Sequence, residues 1–269
     1  MFAKFRKTLT SFARKWRKKP SSGKIYGGNI NRVASVLKPF RQGKAYDPIP
    51  LSNKISMINE DHTSIVELVG KDEPPMGVDA GMDGRQYRGG VRLDSISKIK
   101  LPDDEEFDVS IEYDGKEPIF YTLKNDRGFY KFKIDNNGIS EAAPVNYDSK
   151  NSVCFKTDTN EIKDVINANG KTSGKNDMDY VIRTKNDGVV LGPKGEPGKR
   201  KTISKGRYDN GTTAIYTGKL LNNVTPVDDE IDVEFGQDSL IAFKWDGANF
   251  KGKILVAPKL SDEPLNDDD

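Results

Sequence analysis

The chain has 269 residues and a formal charge of only +2, but thirteen of its 43 Lys and Arg precede the first acidic residue, Asp47, leaving 30 basic against 41 acidic residues in the rest. A single cysteine, Cys154, and a single histidine, His62, exclude an intrachain disulfide, a cysteine-based metal cluster and the usual histidine-rich zinc site, and they fit a reducing, intracellular setting. No apolar run approaches the ~20 residues that span a bilayer, and the N-terminal stretch lacks the apolar block of a signal peptide, so a soluble protein is expected.

Taken in order, the chain opens with Phe2, Phe5, Leu9, Phe12 and Trp16 at alternating spacings of three and four, with Arg6, Lys7, Arg14, Lys15, Arg17, Lys18 and Lys19 among them. As a helix this is amphipathic and basic, suited to packing on the body, or to a DNA or anionic membrane surface. Pro20–Gly23 reads as a linker. Lys24–Gly28 is a strand, and Asn29 caps a helix over Ile30–Phe40 with Val33, Val36 and Leu37 on one face. Ile55–Leu68 reads as two strands around a polar turn that holds His62. A Gly- and Asp-rich loop with a weak strand covers Met76–Arg88. Val91–Lys100 then places Leu93, Ile96 and Ile99 at helical spacing.

Phe107–Tyr113, Ile119–Leu123 and Phe129–Ile134 alternate apolar and polar residues between Asp-Gly and Asp-Arg-Gly turns, a meander of antiparallel strands. Asp135–Ser152 has no sustained period and reads as the internal linker. The order then repeats. Val153–Phe155 is a strand, Asp158 caps a helix over Asn160–Ile166, and Tyr180–Arg183 pairs with Val189–Leu191 around Asn186-Asp187-Gly188. Thr202–Lys205 and Thr212–Tyr216 are strands, and Leu220–Val224 is a short helix. Val233–Leu260 closes the chain with hairpins around Gly236-Gln237-Asp238 and Asp246-Gly247-Ala248-Asn249, until Pro258 denies the sheet a donor. Two similar halves imply a duplicated fold, divided at 1–23 (basic extension), 24–134, 135–152 (connecting loop), 153–263 and 264–269 (acidic tail).

Nothing here argues for catalysis. His62 would have to serve as base for any nucleophile, and no spacing brings it to Cys154. The carboxylates sit mostly in Asp-Gly turns and acidic caps, where turn chemistry accounts for them. Gly188–Gly198 is not a phosphate cradle, because no Gly-Lys-Ser/Thr closes it and no helix comes after it.

Several strings resemble those of the sliding clamp family of proliferating cell nuclear antigen (PCNA). Phe235-Gly236-Gln237-Asp238 and Leu255-Val256-Ala257-Pro258-Lys259-Leu260 are similar to its Phe-Gly-x-Asp turn and Leu-Ala-Pro-Lys-Ile-Glu ending. Gly188–Gly198 is similar to Asp-Gly-Val-x-Phe-x-Ala-x-Gly-Glu-x-Gly, Val91–Lys100 to the second clamp helix, and Asn59–His62 to the turn in which many clamps carry a histidine. The resemblance runs from Lys24 to Glu263. It implies an α+β fold of two clamp domains, each an antiparallel sheet with two short helices, and a ring of six such domains with the helices lining the hole.

The resemblance also implies a function. The protein would be a non-enzymatic DNA sliding clamp, without cofactor or metal, that encircles double-stranded DNA regardless of sequence and tethers DNA polymerase and other replication and repair factors. A clamp loader would place it at sites of replication, and no membrane is involved beyond the open question of the N-terminal helix. The ring would be a homotrimer or a mixed trimer, closed by strand pairing between the edges Phe129–Ile134 and Thr202–Lys205. Arg32, Lys38, Arg41, Lys98, Lys100, Lys163, Lys171 and Lys219 would meet phosphates. A pocket of Ile58, His62, Ile65, Ile139, Leu255, Ala257, Pro258 and Leu260 would take the partners' short docking peptide.

Three departures bear on these expectations. Leu255 stands where the family often has Tyr, and Ser239 where it often has Pro, which changes the expected peptide preference. The stretch before Lys24 is also atypical, and within it Leu9 and Phe12, with Arg6 and Ala13 at the flanking anchors, resemble a degraded clamp-binding peptide. Two other readings stay open at this level: a clamp-like regulator that keeps the pocket without forming a ring, and a virion structural protein with a basic nucleic-acid-binding arm.

Overall fold

Apolar and polar residues alternating at period two specify the meanders, and those strands form; Pro48–Pro50, expected as loop, is also a strand, and the weak strand expected within Met76–Arg88 is absent from its described residues, 76–79. The computed structural model describes residues 22–40, 48–59, 61–79, 89–115, 117–136, 152–170, 178–195, 197–208, 211–224 and 230–259. The predicted basic helix, most of the connecting loop and the acidic tail lie outside the described residues.

The first half comprises β1 (Ser22–Tyr26), α1 (Gly27–Leu37) with a 3-10 turn (Lys38–Phe40), β2 (Pro48–Pro50), β3 (Lys54–Ile58), β4 (Ser64–Gly70), β5 (Gly90–Arg92), α2 (Leu93–Ser97), β6 (Glu106–Asp114), β7 (Glu117–Asn125) and β8 (Gly128–Asp135). The second comprises β9 (Val153–Asp158), α3 (Thr159–Asn169), β10 (Asp179–Lys185), β11 (Gly188–Pro193), β12 (Lys201–Lys205), β13 (Thr213–Thr217), α4 (Gly218–Val224), β14 (Glu230–Phe235), β15 (Ile241–Asp246) and β16 (Phe250–Val256). Each half therefore runs strand, helix, four strands, helix, three strands. The duplication read in the sequence is present element by element.

Three antiparallel sheets result, with strand orders β1-β6-β7-β8-β5-β2, β12-β11-β10-β13 and β3-β4-β16-β15-β14-β9. The first and third are built alike. In each, the opening strand of a half pairs with the first strand of its closing meander, β1 with β6 and β9 with β14. They differ beyond the last strand of the meander. β16 is flanked by β4, whereas β8 meets β5 only through Ile134 and Asp135.

By contact the described residues fall into two units, one within 1–34, 45–55 and 70–139, the other within 35–44, 56–69 and 140–269. The first unit centres on Ile25, Phe107, Val109, Tyr121, Leu123 and Phe132, all buried, with Ile25 opposite Phe107 and Tyr121 opposite Phe132 in register. The Tyr121 hydroxyl, fully buried, donates to the Met76 carbonyl at 3.0 Å. In the second unit α3 buries Ile162, Val165 and Ile166, and Tyr180 of β10 donates its hydroxyl to the Ile166 carbonyl at 3.3 Å. The predicted cap is present, since the Asp158 carboxylate accepts from the Asn160 amide at 2.7 Å.

Two helices differ from expectation. α1 begins at Gly27 rather than beyond Asn29, because the amides of Gly27 and Gly28 donate to the carbonyls of Glu105 (2.9 Å) and Asp103 (3.1 Å). A Cβ at Gly27 would come within 2.1 Å of the Pro102 carbonyl oxygen, so only glycine permits this approach. α2 is shorter than Val91–Lys100. Its first residues join the sheet as β5, where Val91 pairs with Ile49 and Ile134, and tertiary pairing overrides the helical period. None of the described helices is long and apolar enough to cross a membrane.

Candidate functional site

The turn between β3 and β4 is built around Asn59. Its side-chain oxygen accepts from the amides of Thr63 and Ser64, both at 2.8 Å, and its amide nitrogen donates to the Thr63 hydroxyl at 2.9 Å. The Asn59 amide donates to the Ser64 carbonyl, and the His62 amide to the Asn59 carbonyl, both at 3.0 Å. His62 takes a left-handed conformation at φ +56° and is exposed. An asparagine that folds its own backbone in this way fixes a turn without a glycine.

The end of β16 is tied to that turn. The Ala257 amide donates to the Thr63 carbonyl at 2.8 Å, and four residues back along β16 Lys253 pairs with Glu67 of β4 at 2.8 Å. These two contacts bracket Ile65 and Leu255, which therefore stand side by side on one face. The Asn59–Ser64 bond sets Ile58 beside Ile65 in the same way. Ile58, Ile65 and Leu255 thus form an apolar row across three adjacent strands, with Ile58 and Ile65 half-buried and Leu255 buried. Ala257 and Pro258, both half-buried, border its end, and Lys259 leaves the row anchored twice. Its amide donates to the Ile215 carbonyl at 2.8 Å and its ammonium meets Asp179 at 2.6 Å.

Six of the eight pocket residues expected from the resemblance are therefore gathered at one place, all in the second unit: Ile58, His62, Ile65, Leu255, Ala257 and Pro258. Ile139 and Leu260 lie outside the described residues. Sequence reasoning did not single out Asn59 and Thr63, which hold the row together. The legible signal was the Asn-x-x-x-Thr spacing between two apolar strands.

Of the eight cations expected to meet phosphates, the six described ones are distributed over both units. Arg32 lies half-exposed on α1 and Lys38 is exposed in the 3-10 turn after it. Lys98, exposed, stands at the C-terminal cap of α2 and pairs with Asp94 at 3.8 Å, with Lys100 exposed just beyond. Lys163 of α3 and Lys219 of α4 belong to two helices in contact with each other. Arg41 and Lys171 lie outside the described residues. Carboxylates share these helices: Glu161 and Asp164 of α3 both pair with Lys201 of β12, and the Glu161 hydrogen bond holds the Lys201 ammonium above its ordinary pKa.

No family model and no curated protein sequence matches the chain. Solved structures do. The chain is similar to proliferating cellular nuclear antigen from Entamoeba histolytica, at 16% identity and a TM-score of 0.68, with 90% of this chain and 100% of that one covered. It is similar to A. fulgidus PCNA, solved with the C-terminal region of FEN-1, at 13% identity and a TM-score of 0.69, with 90% and 100% covered. It is also similar to the PCNA2–PCNA3 complex of Sulfolobus tokodaii, at 12% identity and a TM-score of 0.64, with 88% and 99% covered.

Proposed function

We propose that this chain, which has the PCNA-type sliding-clamp fold, is a non-enzymatic DNA clamp: three copies close head to tail around duplex DNA and tether a DNA polymerase and other peptide-bearing factors to it. The observation that carries the reading is the inequality between the two meanders. β16 is flanked by β4. By chain order β8 is the counterpart of β16 and β12 the counterpart of β4, yet β12 is the edge of its sheet and Gly128–Lys133 of β8 are laddered only to β7 among the described residues. Pairing β8 of one copy with β12 of the next would repeat between chains the junction that β16 and β4 make within one. An edge-to-edge contact of this kind is heterologous, and such contacts form rings when the rotation closes.

A closed ring holds its partners on DNA by topology, so its inner surface needs cations that meet phosphates without reading bases. Arg32, Lys38, Lys98, Lys100, Lys163 and Lys219, with Arg41 and Lys171, are assigned that role. The Ile58–Ile65–Leu255 row, bordered by His62 and Ala257-Pro258 and extended by Ile139 and Leu260, is assigned to the partner peptide. Segments 24–134 and 153–263 are the two clamp domains, 135–152 connects them, and a loader opens the ring inside the cell. The test is retention on circular against linear duplex after loading. Protein that stays on a nicked circle and is lost when the circle is cut supports the reading, and equal retention on both forms contradicts it.

A further inference from the structure

The sheet of β10–β13 has a second face that the clamp reading leaves unused. Tyr180, Ile182 and Thr184 of β10 are buried, and Tyr180 reaches α3, so Val181, Arg183 and Lys185 point to the opposite side. On that side Val181 stands opposite Gly192, Arg183 opposite Val190, and Lys185 opposite Gly188, which is itself opposite Lys205 of β12. Gly192 leaves room that Arg200 fills, since a Cβ there would meet the Arg200 Cγ at 2.4 Å. The result is a shallow groove with about 60 Å³ of space, lined by three cations, Arg183, Lys185 and Arg200, over an apolar floor of Val181, Val190 and Pro193.

Its chemistry narrows the occupant. The groove is shallow and open to solvent, whereas a small-molecule site encloses most of its ligand, so it suits one or two side chains of a longer segment. Positive side chains gather here although the chain after residue 46 has more acidic than basic residues. A DNA backbone would use the cations but not the valines and proline, whereas an acidic peptide with an apolar residue among its carboxylates uses both. We propose that this groove is a docking site for a carboxylate-rich peptide segment, with Arg183, Lys185 and Arg200 meeting carboxylates and Val181, Val190 and Pro193 seating an apolar side chain. The site lies within one unit and does not rest on the clamp reading.

The chain supplies a probe of the required chemistry in residues 261–269, Ser-Asp-Glu-Pro-Leu-Asn-Asp-Asp-Asp. A labelled synthetic peptide of that sequence is titrated into the full chain and into the Lys185→Ala/Arg200→Ala double variant, both positions being exposed, with thermal melts confirming an unchanged fold. The expected result is binding that weakens about tenfold in the double variant and with added salt, and that vanishes for a peptide with Asn and Gln in place of Asp and Glu. Tighter binding to a chain lacking 261–269 would also support the groove and name that segment as a competitor for it. No binding, equal binding to parent and double variant, or loss of duplex DNA binding with the peptide unaffected would overturn the proposal.

Discussion

The Ala257 amide donates to the Thr63 carbonyl at 2.8 Å, and this one bond joins the end of the last strand to a turn in the first half of the chain. It makes the apolar row Ile58–Ile65–Leu255 a composite of both halves. A surface built this way exists only when both halves of the chain are folded.

The Asn59 turn is expected to govern that surface. Asn59→Ala leaves the Thr63 and Ser64 amides without their side-chain acceptor, Ser64 being buried. Stability should fall by about 1–3 kcal/mol. Denaturant melts read the loss, and hydrogen exchange at Ala257 should quicken with it. An unchanged exchange rate at Ala257 would separate the turn from the strand end.

Within the row, Ile65 is the position to alter, because it is half-buried while Leu255 is nearly covered. If the row takes a partner's docking peptide as proposed, Ile65→Ser should keep the fold and weaken that binding about tenfold, since an apolar contact of this size is worth about 1.5–3 kcal/mol when fully buried. Fluorescence anisotropy measures it. Equal affinity in parent and variant would place the peptide elsewhere.

Trp245 and Gly252 face each other across the last hairpin, and a Cβ at Gly252 would sit 1.9 Å from the indole Cζ2. Gly252→Ala must therefore displace a ring that is 4% exposed. A cost of about 1–3 kcal/mol is expected, with a red shift in tryptophan emission. A neutral substitution with unshifted emission would mean that the ring does not lie on the glycine.

Glu112 has its pKa lowered chiefly by the hydrogen bond from Lys131, at 2.7 Å. A depressed carboxylate stabilises the fold above its unfolded pKa and ceases to do so as pH falls through the folded value, so this contribution is absent only in acid. Carboxyl chemical shifts should give a titration midpoint below the ordinary glutamate value, and Lys131→Met should raise it. A midpoint that does not move in that variant would assign the shift to another neighbour.

Much of this was legible in the sequence because strands with one buried face write themselves at period two. The meanders β6–β8 and β14–β16, the Asp158 cap and the Asn186-Asp187 turn all arise from local chemistry. What was not legible depends on contacts distant in sequence. The early start of α1 needs the carbonyls of Asp103 and Glu105, and the shortening of α2 needs the strands on either side of β5. For the candidate site, family resemblance supplied Ile58, Ile65 and Leu255. The Asn59–Thr63 turn has a local spacing signal, but its bond to Ala257 could not be read from it, because nothing local tells which distant strand a turn will meet.

Ring closure is tested by solution mass from light scattering, at low and high salt, on the full chain and on one starting at Lys24. A species of three times the 30.0 kDa chain mass is expected, with a corresponding trimer for the shortened chain, broken by proline substitutions in β12 that remove its edge donors. A monomer at every salt and concentration would contradict the three-copy ring.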